Sequence, residues 1–258
     1  MAFSLIEPIA RVGLAARGAV YIMVGILAAG AAAGQGRTTD AQGALRVIGR
    51  LDASGVLLVV LAFGLAAYAA WRFAQAIQDL DRHGLGLKGL AVRTGDAASG
   101  LGHLALALTA AGYGVSRRSG TMRAWVARSL AEPWGQWAVG LGGAIVVGVG
   151  VHQFHKVWTA NFEEHLRTQR MSADARRWSR RIGRFGLGAR GVTFVIIGWF
   201  LIRAALDLNA REVRDFGGAL RTLQAQEYGA WRLGIVALGL ISYGLLSFVD
   251  ARYRRIVR

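Results

Sequence analysis

RVGLAARGAVYIMVG at residues 11–25 returns as RFGLGARGVTFVIIG at residues 184–198, with seven of the fifteen positions identical. Both copies set an arginine and a glycine, Arg17–Gly18 and Arg190–Gly191, at the entrance to an uncharged apolar run. A divergent third copy reads RTGDAASGLGHLALA at 93–107. Arg93, Gly95, Ala98 and Gly100 keep the pattern, Ser99 fills the arginine slot, and His103 stands where the other copies carry Tyr21 and Phe194.

A second motif follows each copy. GLAAYAAWR (64–72), GVGVHQFHK (148–156) and GLISYGLLS (239–247) align without gaps, so Tyr68, His152 and Tyr243 correspond, as do Arg72, Lys156 and Ser247. The distance from residue 17, 99 or 190 to this aromatic or histidine position is 51, 53 and 53 residues. Self-similarity at a near-constant period marks a repeat architecture. The units are 11–84, 93–166 and 181–256.

The 258 residues are 54% hydrophobic, with 36 glycines and 2 prolines, and the mean hydropathy is +0.37. A soluble domain is less apolar than this. Uncharged runs at 97–115, 134–151 and 233–249 contain 19, 18 and 17 residues, close to the ~20 that a membrane helix needs. The runs are continuous rather than alternating, and lipid offers no water to open backbone groups, so helix is the expected state. The expectation is one all-α, polytopic membrane domain with six transmembrane helices over 12–33, 55–76, 97–115, 134–157, 187–206 and 231–249. An even number of spans per unit gives three parallel two-helix repeats, in pseudo-threefold arrangement about an axis near the membrane normal. GALR recurs at 43–46 and 218–221 between the paired spans, inside patterns of apolar residues at helical spacing. Met122, Trp125, Val126 and Leu130 occupy the comparable place in the middle unit. These segments are expected to be short amphipathic helices at the outer interface.

The pattern R-x-G-x-x-A-R-G followed by an aromatic, then G-x-x-x-Y-x-x-W-R, in triplicate, resembles the bacterial membrane family domain of unknown function 1206. Arg17, Gly18, Tyr21, Tyr68, Trp71 and Arg72 carry the likeness in unit one, and Arg190, Gly191, Phe194 and Tyr243 in unit three. Unit two departs at Ser99, His103, His152 and His155. The resemblance implies a bacterial inner-membrane location and no activity.

The net charge is +16, and 19 of the 31 Lys and Arg residues fall on the side that carries the N-terminus. The positive-inside rule then puts both termini in the cytoplasm. Arg167, Arg170, Arg176, Arg177, Arg180, Arg181 and Arg184 crowd the connection between units two and three, a composition suited to anionic lipid headgroups. No motif points to nucleic acid as a partner. MAFSLIEPIAR lacks the basic start of a cleavable signal peptide, and without cysteine there is no disulfide or thiolate chemistry. Trp71 and Trp158 at inner ends, and Trp134, Trp137 and Trp231 at outer ends, are expected in the interfacial belts.

Two clusters stand out chemically. Arg17, Arg72, Lys156 and Arg190 lie near one end of the spans. They read either as snorkelling anchors or as a vestibule binding a phosphate or carboxylate, which suits the planar guanidinium fork. Neutralisation by the carboxylates Asp79 and Glu163 is the alternative to a vestibule. His103, His152 and His155 gather in unit two, with His103 and His152 expected to face each other; three imidazoles can ligate a transition metal, or a haem iron can be held. Ser99 and His103 sit one turn apart, but Ser99 merely fills the arginine slot, so no catalytic residue is assigned. No carboxylate lies at mid-span, and no P-loop, G-x-S-x-G or H-E-x-x-H occurs. The glycines of the third and fourth spans suit close helix packing or a homo-oligomer face. The leading expectation is a non-enzymatic membrane protein that is structural or binds anionic lipid. The alternatives are a small transporter or channel for an anionic solute, and a metal- or haem-binding protein.

Overall fold

A computed structural model describes residues 2–51, 54–80, 84, 86–112 and 121–256. These residues form an all-α protein without a strand. Six long helices form three pairs, each pair joined through a short helix: α1 (Ala2–Ala32), α2 (Ala41–Ile48), α3 (Ser54–Gln78), α4 (Leu87–Ala110), α5 (Thr121–Leu130), α6 (Gly135–Thr159), α7 (Ala173–Leu206), α8 (Phe216–Gln224) and α9 (Gly229–Tyr253). Among the described residues, α1, α3, α6, α7 and α9 are long and apolar enough to cross a membrane. The protein is thus a multi-pass membrane protein in its composition. The expected sixth span corresponds to α4, which falls short for a clear reason. Its first turns carry Lys88, Arg93 and Asp96, leaving only 97–110 uncharged within the helix. That is about 21 Å at 1.5 Å per residue, against a ~30 Å hydrocarbon core. The end of the expected span, 113–115, lies outside the described residues.

The long helices pack as a string of neighbours, α4–α3–α1–α9–α7–α6, and α4 and α6 barely touch. Two of these interfaces are built from reciprocal small residues. A Cβ placed on Gly18 would lie 2.8 Å from the Gly244 carbonyl oxygen, and one on Gly244 would lie 2.7 Å from the Gly18 oxygen. Seven residues on, Gly25 meets Ala237 in the same way. Between α6 and α7, Gly150 opposes Gly191 and Gly143 opposes Gly198, each at 2.7–3.0 Å by the same measure. Lipid tails are as apolar as leucine, so helix pairs are held by close van der Waals contact and Cα–H···O contacts, both of which need small residues. The third equivalent interface, α3 on α4, is looser. Gly100 there receives the ring of Phe73, as Gly18 receives Phe248.

This packing corrects the repeat alignment in unit two. Gly150 and Gly143 occupy on α7 the places that Gly244 and Ala237 occupy on α1. The gapless alignment matched Gly150 to Ile241 instead. The α6 sequence is therefore offset by three residues, about 4.5 Å along the axis. Gln153 becomes the counterpart of Ser247, Lys156 of Asp250, His152 of Leu246 and Val149 of Tyr243. The burial of Gln153 agrees with that of Ser247. Lys156 and His152 are thus not the equivalents of Arg72 and Tyr68. The glycine pair fixes the register, because neither Val146 nor Gln153 would tolerate so close an approach to the α7 backbone.

The short helices form where the GALR pattern predicts them. Asp40 accepts from the Gly43 N–H at 2.8 Å, and Asp215 from the Gly218 N–H at 2.6 Å. Both are aspartate N-caps, which satisfy an otherwise unpaired helix donor. Leu45, Ile48, Leu220 and Leu223 of α2 and α8 then join Ala28, Ala31, Leu233 and Val236 in one core. These helices bury one face against the bundle end opposite the termini. Trp137, Trp158 and Trp231 are exposed, as belt residues would be, but Trp71 is buried against Tyr68. Gly198→Leu is expected to lower unfolding stability in detergent by about 1–3 kcal/mol through overpacking. Gly188→Leu, at a glycine with no neighbour within 4 Å, is expected to leave the melting temperature unchanged.

Candidate functional site

The bundle end that carries both termini gathers the charged residues. Arg11 ties α1 to the end of α9 by donating to the Ala251 and Arg252 carbonyls. The Arg167 N–H donates to the Tyr253 carbonyl at 2.7 Å. One or two turns deeper lie the repeated arginines. They are held there because the small residues flanking them bring neighbouring helices close enough to cover the guanidinium stem.

Arg17 is 8% exposed and fully engaged. It donates to the Tyr68 hydroxyl of its own unit at 2.7 Å, to Ser247 Oγ of α9 at 3.0 Å, and to Asp250 at 3.4 Å. Its guanidinium carbon is 5.0 and 5.3 Å from the Tyr68 and Tyr243 ring centroids. Arg190 sits in the equivalent place on α7. It donates to the Tyr243 hydroxyl of its unit at 3.0 Å and lies over Phe194 and Tyr243 at 4.7 and 4.9 Å. Tyr21 stands edge-on to Tyr243 at 4.7 Å, so the two arginine pockets share a wall of rings.

The two pockets differ in charge. Where α9 gives Arg17 a serine and a carboxylate, α6 sets Gln153 and Lys156 beside Arg190. Lys156 is largely desolvated and feels the positive charges of Arg190, Arg254 and Arg72, with Asp250 acting in the opposite sense. Among the described residues no carboxylate pairs with Arg190, and its buried Nε has no hydrogen-bond partner. Arg72 is served differently again. Asp96 of α4, standing where Leu14 and Leu187 stand in the other units, pairs with it at 2.8 Å, and Gln75 accepts from it at 2.9 Å. The four cations expected from the sequence therefore meet at one end with two carboxylates, Asp96 and Asp250, to serve them.

Asp79 and Glu163 have partners of their own. Asp79 accepts the Gly84 N–H at 2.7 Å. Glu163 is clasped by Arg180 through two 2.7 Å hydrogen bonds, with Arg176 at 3.9 Å. The hydrogen bonds from Arg180 are the main reason the Glu163 carboxyl is held below the usual carboxylate range, with Arg176 and Arg184 adding to the effect. Asp250 and Asp96 escaped sequence reading. Asp250 lies one turn beyond the third copy of the second motif, and Asp96 lies immediately before the uncharged run at 97–115. The signal for Asp96 was there: it is the polar exception at a leucine position.

The histidines do not meet as a triad. His103 packs on Tyr68, with ring centroids 4.3 Å apart, and not against His152. His152 and His155 stack on each other at 6.2 Å. Among the described residues no group of three or more His, Asp or Glu side chains is placed to hold a metal.

A family model, Domain of Unknown Function (DUF1206), matches this chain three times, over residues 12–79, 94–160 and 185–254. The chain belongs to this family. Its matches end at 79, 160 and 254, which carries the same three-residue offset in unit two that the glycine contacts fix. The chain is also 35% identical over 253 residues to the uncharacterized protein YxxB of Bacillus subtilis (strain 168), covering 97% of this chain and 92% of that protein. No solved structure matches.

Asp250→Asn is expected to lower stability by about 1–3 kcal/mol, the scale of a hydrogen bond to a charged group left unmade. Tyr68→Phe should cost less, and a double-mutant cycle between Arg17→Gln and Asp250→Asn should give a favourable coupling. Glu163, with its depressed carboxyl, stabilises the folded state above the ordinary carboxylate range, and that contribution is lost as pH falls through its lowered value. The melting temperatures of wild type and Glu163→Gln should therefore differ at neutral pH and converge in acid; a constant gap would remove Glu163 as the cause.

Proposed function

We propose that this member of the DUF1206 family is a non-enzymatic protein of the bacterial inner membrane that binds an anionic group, phosphate or carboxylate, at Arg190 and Lys156. In this reading α4 is the sixth span, the three units stand in pseudo-threefold arrangement, both termini are cytoplasmic, and the site lies at the level of the inner headgroups. The observation that carries it is the contrast between the two repeated arginines. Arg17 has Asp250; Arg190, in the same setting of tyrosine hydroxyl and aromatic faces, has a lysine instead. Two cations desolvated together are costly, and an intramembrane charge is a functional residue by default. An anion accepted by the planar fork of Arg190 relieves both charges at once. Arg72 and Arg17 border the site with their charges already matched, so they shape the field rather than hold the ligand. The arginines of the α6–α7 connection, which line an open hollow of about 820 Å³, suit weaker contact with a headgroup layer.

Carriage of an anionic solute through the centre of the bundle is the second reading. It requires a polar route to the far end. Val20, Val24, Leu65, Leu240, Leu45 and Leu220 occupy that direction, each at most 4% exposed, which favours binding over passage.

Purified in mild detergent, the wild-type protein is expected to carry a phosphate- or carboxylate-bearing molecule in native mass spectra. Arg190→Gln should release it, and Arg203→Gln, at an exposed arginine paired with Asp207, should not. A wild-type protein with nothing bound, or equal retention in both variants, would remove the proposal.

A further inference from the structure

Units one and three close in the same manner. In unit one the Tyr68 backbone lies against Gly13, in unit three Tyr243 lies against Gly186, and Gly64 and Gly239 receive Ala16 and Ala189. The helix faces so covered are core: Tyr68 and Tyr243 are 2% and 4% exposed. Unit two does not close. Its two helices, α4 and α6, are the ends of the string of neighbours and barely touch. A Cβ on Gly95 or Gly102 would meet nothing within 4 Å. Val149, at the Tyr68 and Tyr243 position, is 43% exposed, and Ile145, at the position of Gly64 and Gly239, is 59% exposed. The sequence supplies the cause. With the three-residue offset, the branched Ile145 stands at the position where the other units carry the glycine that receives an alanine, so the close approach seen twice has no room the third time.

The same unit lacks the two large side chains that fill its siblings. Ser99 replaces the arginine, and Val149 replaces the tyrosine that binds it. Between α4 and α6 the bundle is therefore lined by apolar and small side chains, and the cations Lys156 on α6 and Arg190 on α7 lie toward the end that carries the termini, with no carboxylate paired to Arg190 among the described residues. One side of the bundle is open to the surrounding bilayer along this line.

We propose that the cleft between α4 and α6 is a lateral lipid site, in which an acyl chain of an anionic phospholipid lies along Gly95, Ala98, Gly102, Ile145 and Val149 while its phosphate is held by Arg190 and Lys156. This rests on the anion site proposed above and names its ligand. Charge and shape point to one occupant: the wall is apolar, the end is cationic, and the opening faces lipid. An anion that enters through the opening to lipid brings an apolar tail with it. Closure of α4 on α6 would leave the charge of Arg190 and Lys156 unmatched, and a second copy of this chain, itself strongly basic with net charge +16, would add positive charge to them.

The full chain in mild detergent is titrated with phosphatidylglycerol, with phosphatidylcholine, and with inorganic phosphate. Native mass spectrometry reads the lipids and calorimetry reads the phosphate. Gly102→Trp, which fills the cleft at a glycine with no neighbours, is expected to weaken phosphatidylglycerol binding by about tenfold or more and to leave phosphate binding unchanged. Arg190→Gln is expected to weaken both. Undiminished phosphatidylglycerol binding by Gly102→Trp overturns the cleft while the anion site stands. Phosphatidylglycerol binding that Arg190→Gln leaves untouched overturns both, as does phosphatidylcholine binding of equal strength. The chain has no cysteine, so Ala98→Cys/Ile145→Cys supplies a second test that does not depend on the tryptophan variant folding. In phosphatidylglycerol vesicles an occupied cleft keeps this pair reduced under mild oxidant. Complete disulfide formation means that the cleft closes on itself and overturns the proposal. So does a dimer that Gly102→Trp dissociates, which assigns the cleft to a second copy.

Discussion

The carbonyl-to-glycine contacts of α1 with α9 and of α6 with α7 are what the rest of the structure depends on. In lipid there is no hydrophobic drive for one apolar helix to prefer another, so attraction must come from atoms in closer contact than lipid can offer. Paired small residues seven apart on both partners give that contact over two turns, with the two backbones directly opposed. Everything else follows from these two seams. They join unit three to unit one and to unit two, they fix the register of α6, and they bring side chains from different units within hydrogen-bonding distance. Arg17 meets Asp250 only because Gly18 lets α9 approach.

The cost of burying arginine is carried by the same geometry. An isolated guanidinium inside a bundle is unfavourable by several kcal/mol in effective terms. Arg17 offsets it with a tyrosine hydroxyl, a serine and a carboxylate, and with two ring faces. Arg190 has the hydroxyl and the rings but a lysine in place of the carboxylate. A chain that merely anchored itself at the interface would have no need of this arrangement, because exposed arginines can snorkel to water. The aromatic faces and the tyrosine hydroxyls hold both guanidinium planes away from the surface.

Architecture was legible in the sequence to a greater depth than the site was. Apolar runs, the repeated arginine–glycine entrance and the GALR helices all rest on local pattern, and local pattern is what periodicity reads well. The three-residue offset in α6 was not legible, because GVGVHQFHK resembles its siblings well enough to align by its glycines at the wrong register. Which glycine faces a partner is a property of the interface, not of the helix. The same limit hid Asp96 and Asp250, whose partners lie on other helices, and it misplaced His152, whose apparent correspondence to Tyr68 and Tyr243 depended on the uncorrected register. Trp71 was mistaken for a belt residue because its position near a span end says nothing about which way it turns.

Within one chain, three copies of a unit provide their own controls. Two of them agree on a closed helix pair, an arginine and its tyrosine, so the departures of the third can be read as changes from a known starting point. Unit two has lost the arginine, the tyrosine and the glycine of its inner interface, and has gained Asp96, Lys156 and an isoleucine at the contact. Loss alone would leave a loose unit packed by whatever lipid lay nearby. The gains do more than that: Asp96 matches the cation of unit one, while Lys156 leaves the cation of unit three unmatched. Charge is thus moved away from neutrality at one place and toward it at another, on the two long helices of the same unit. Drift toward a featureless apolar surface would have removed charges on both sides. The asymmetry argues that the open side of unit two is shaped around something that carries the missing negative charge.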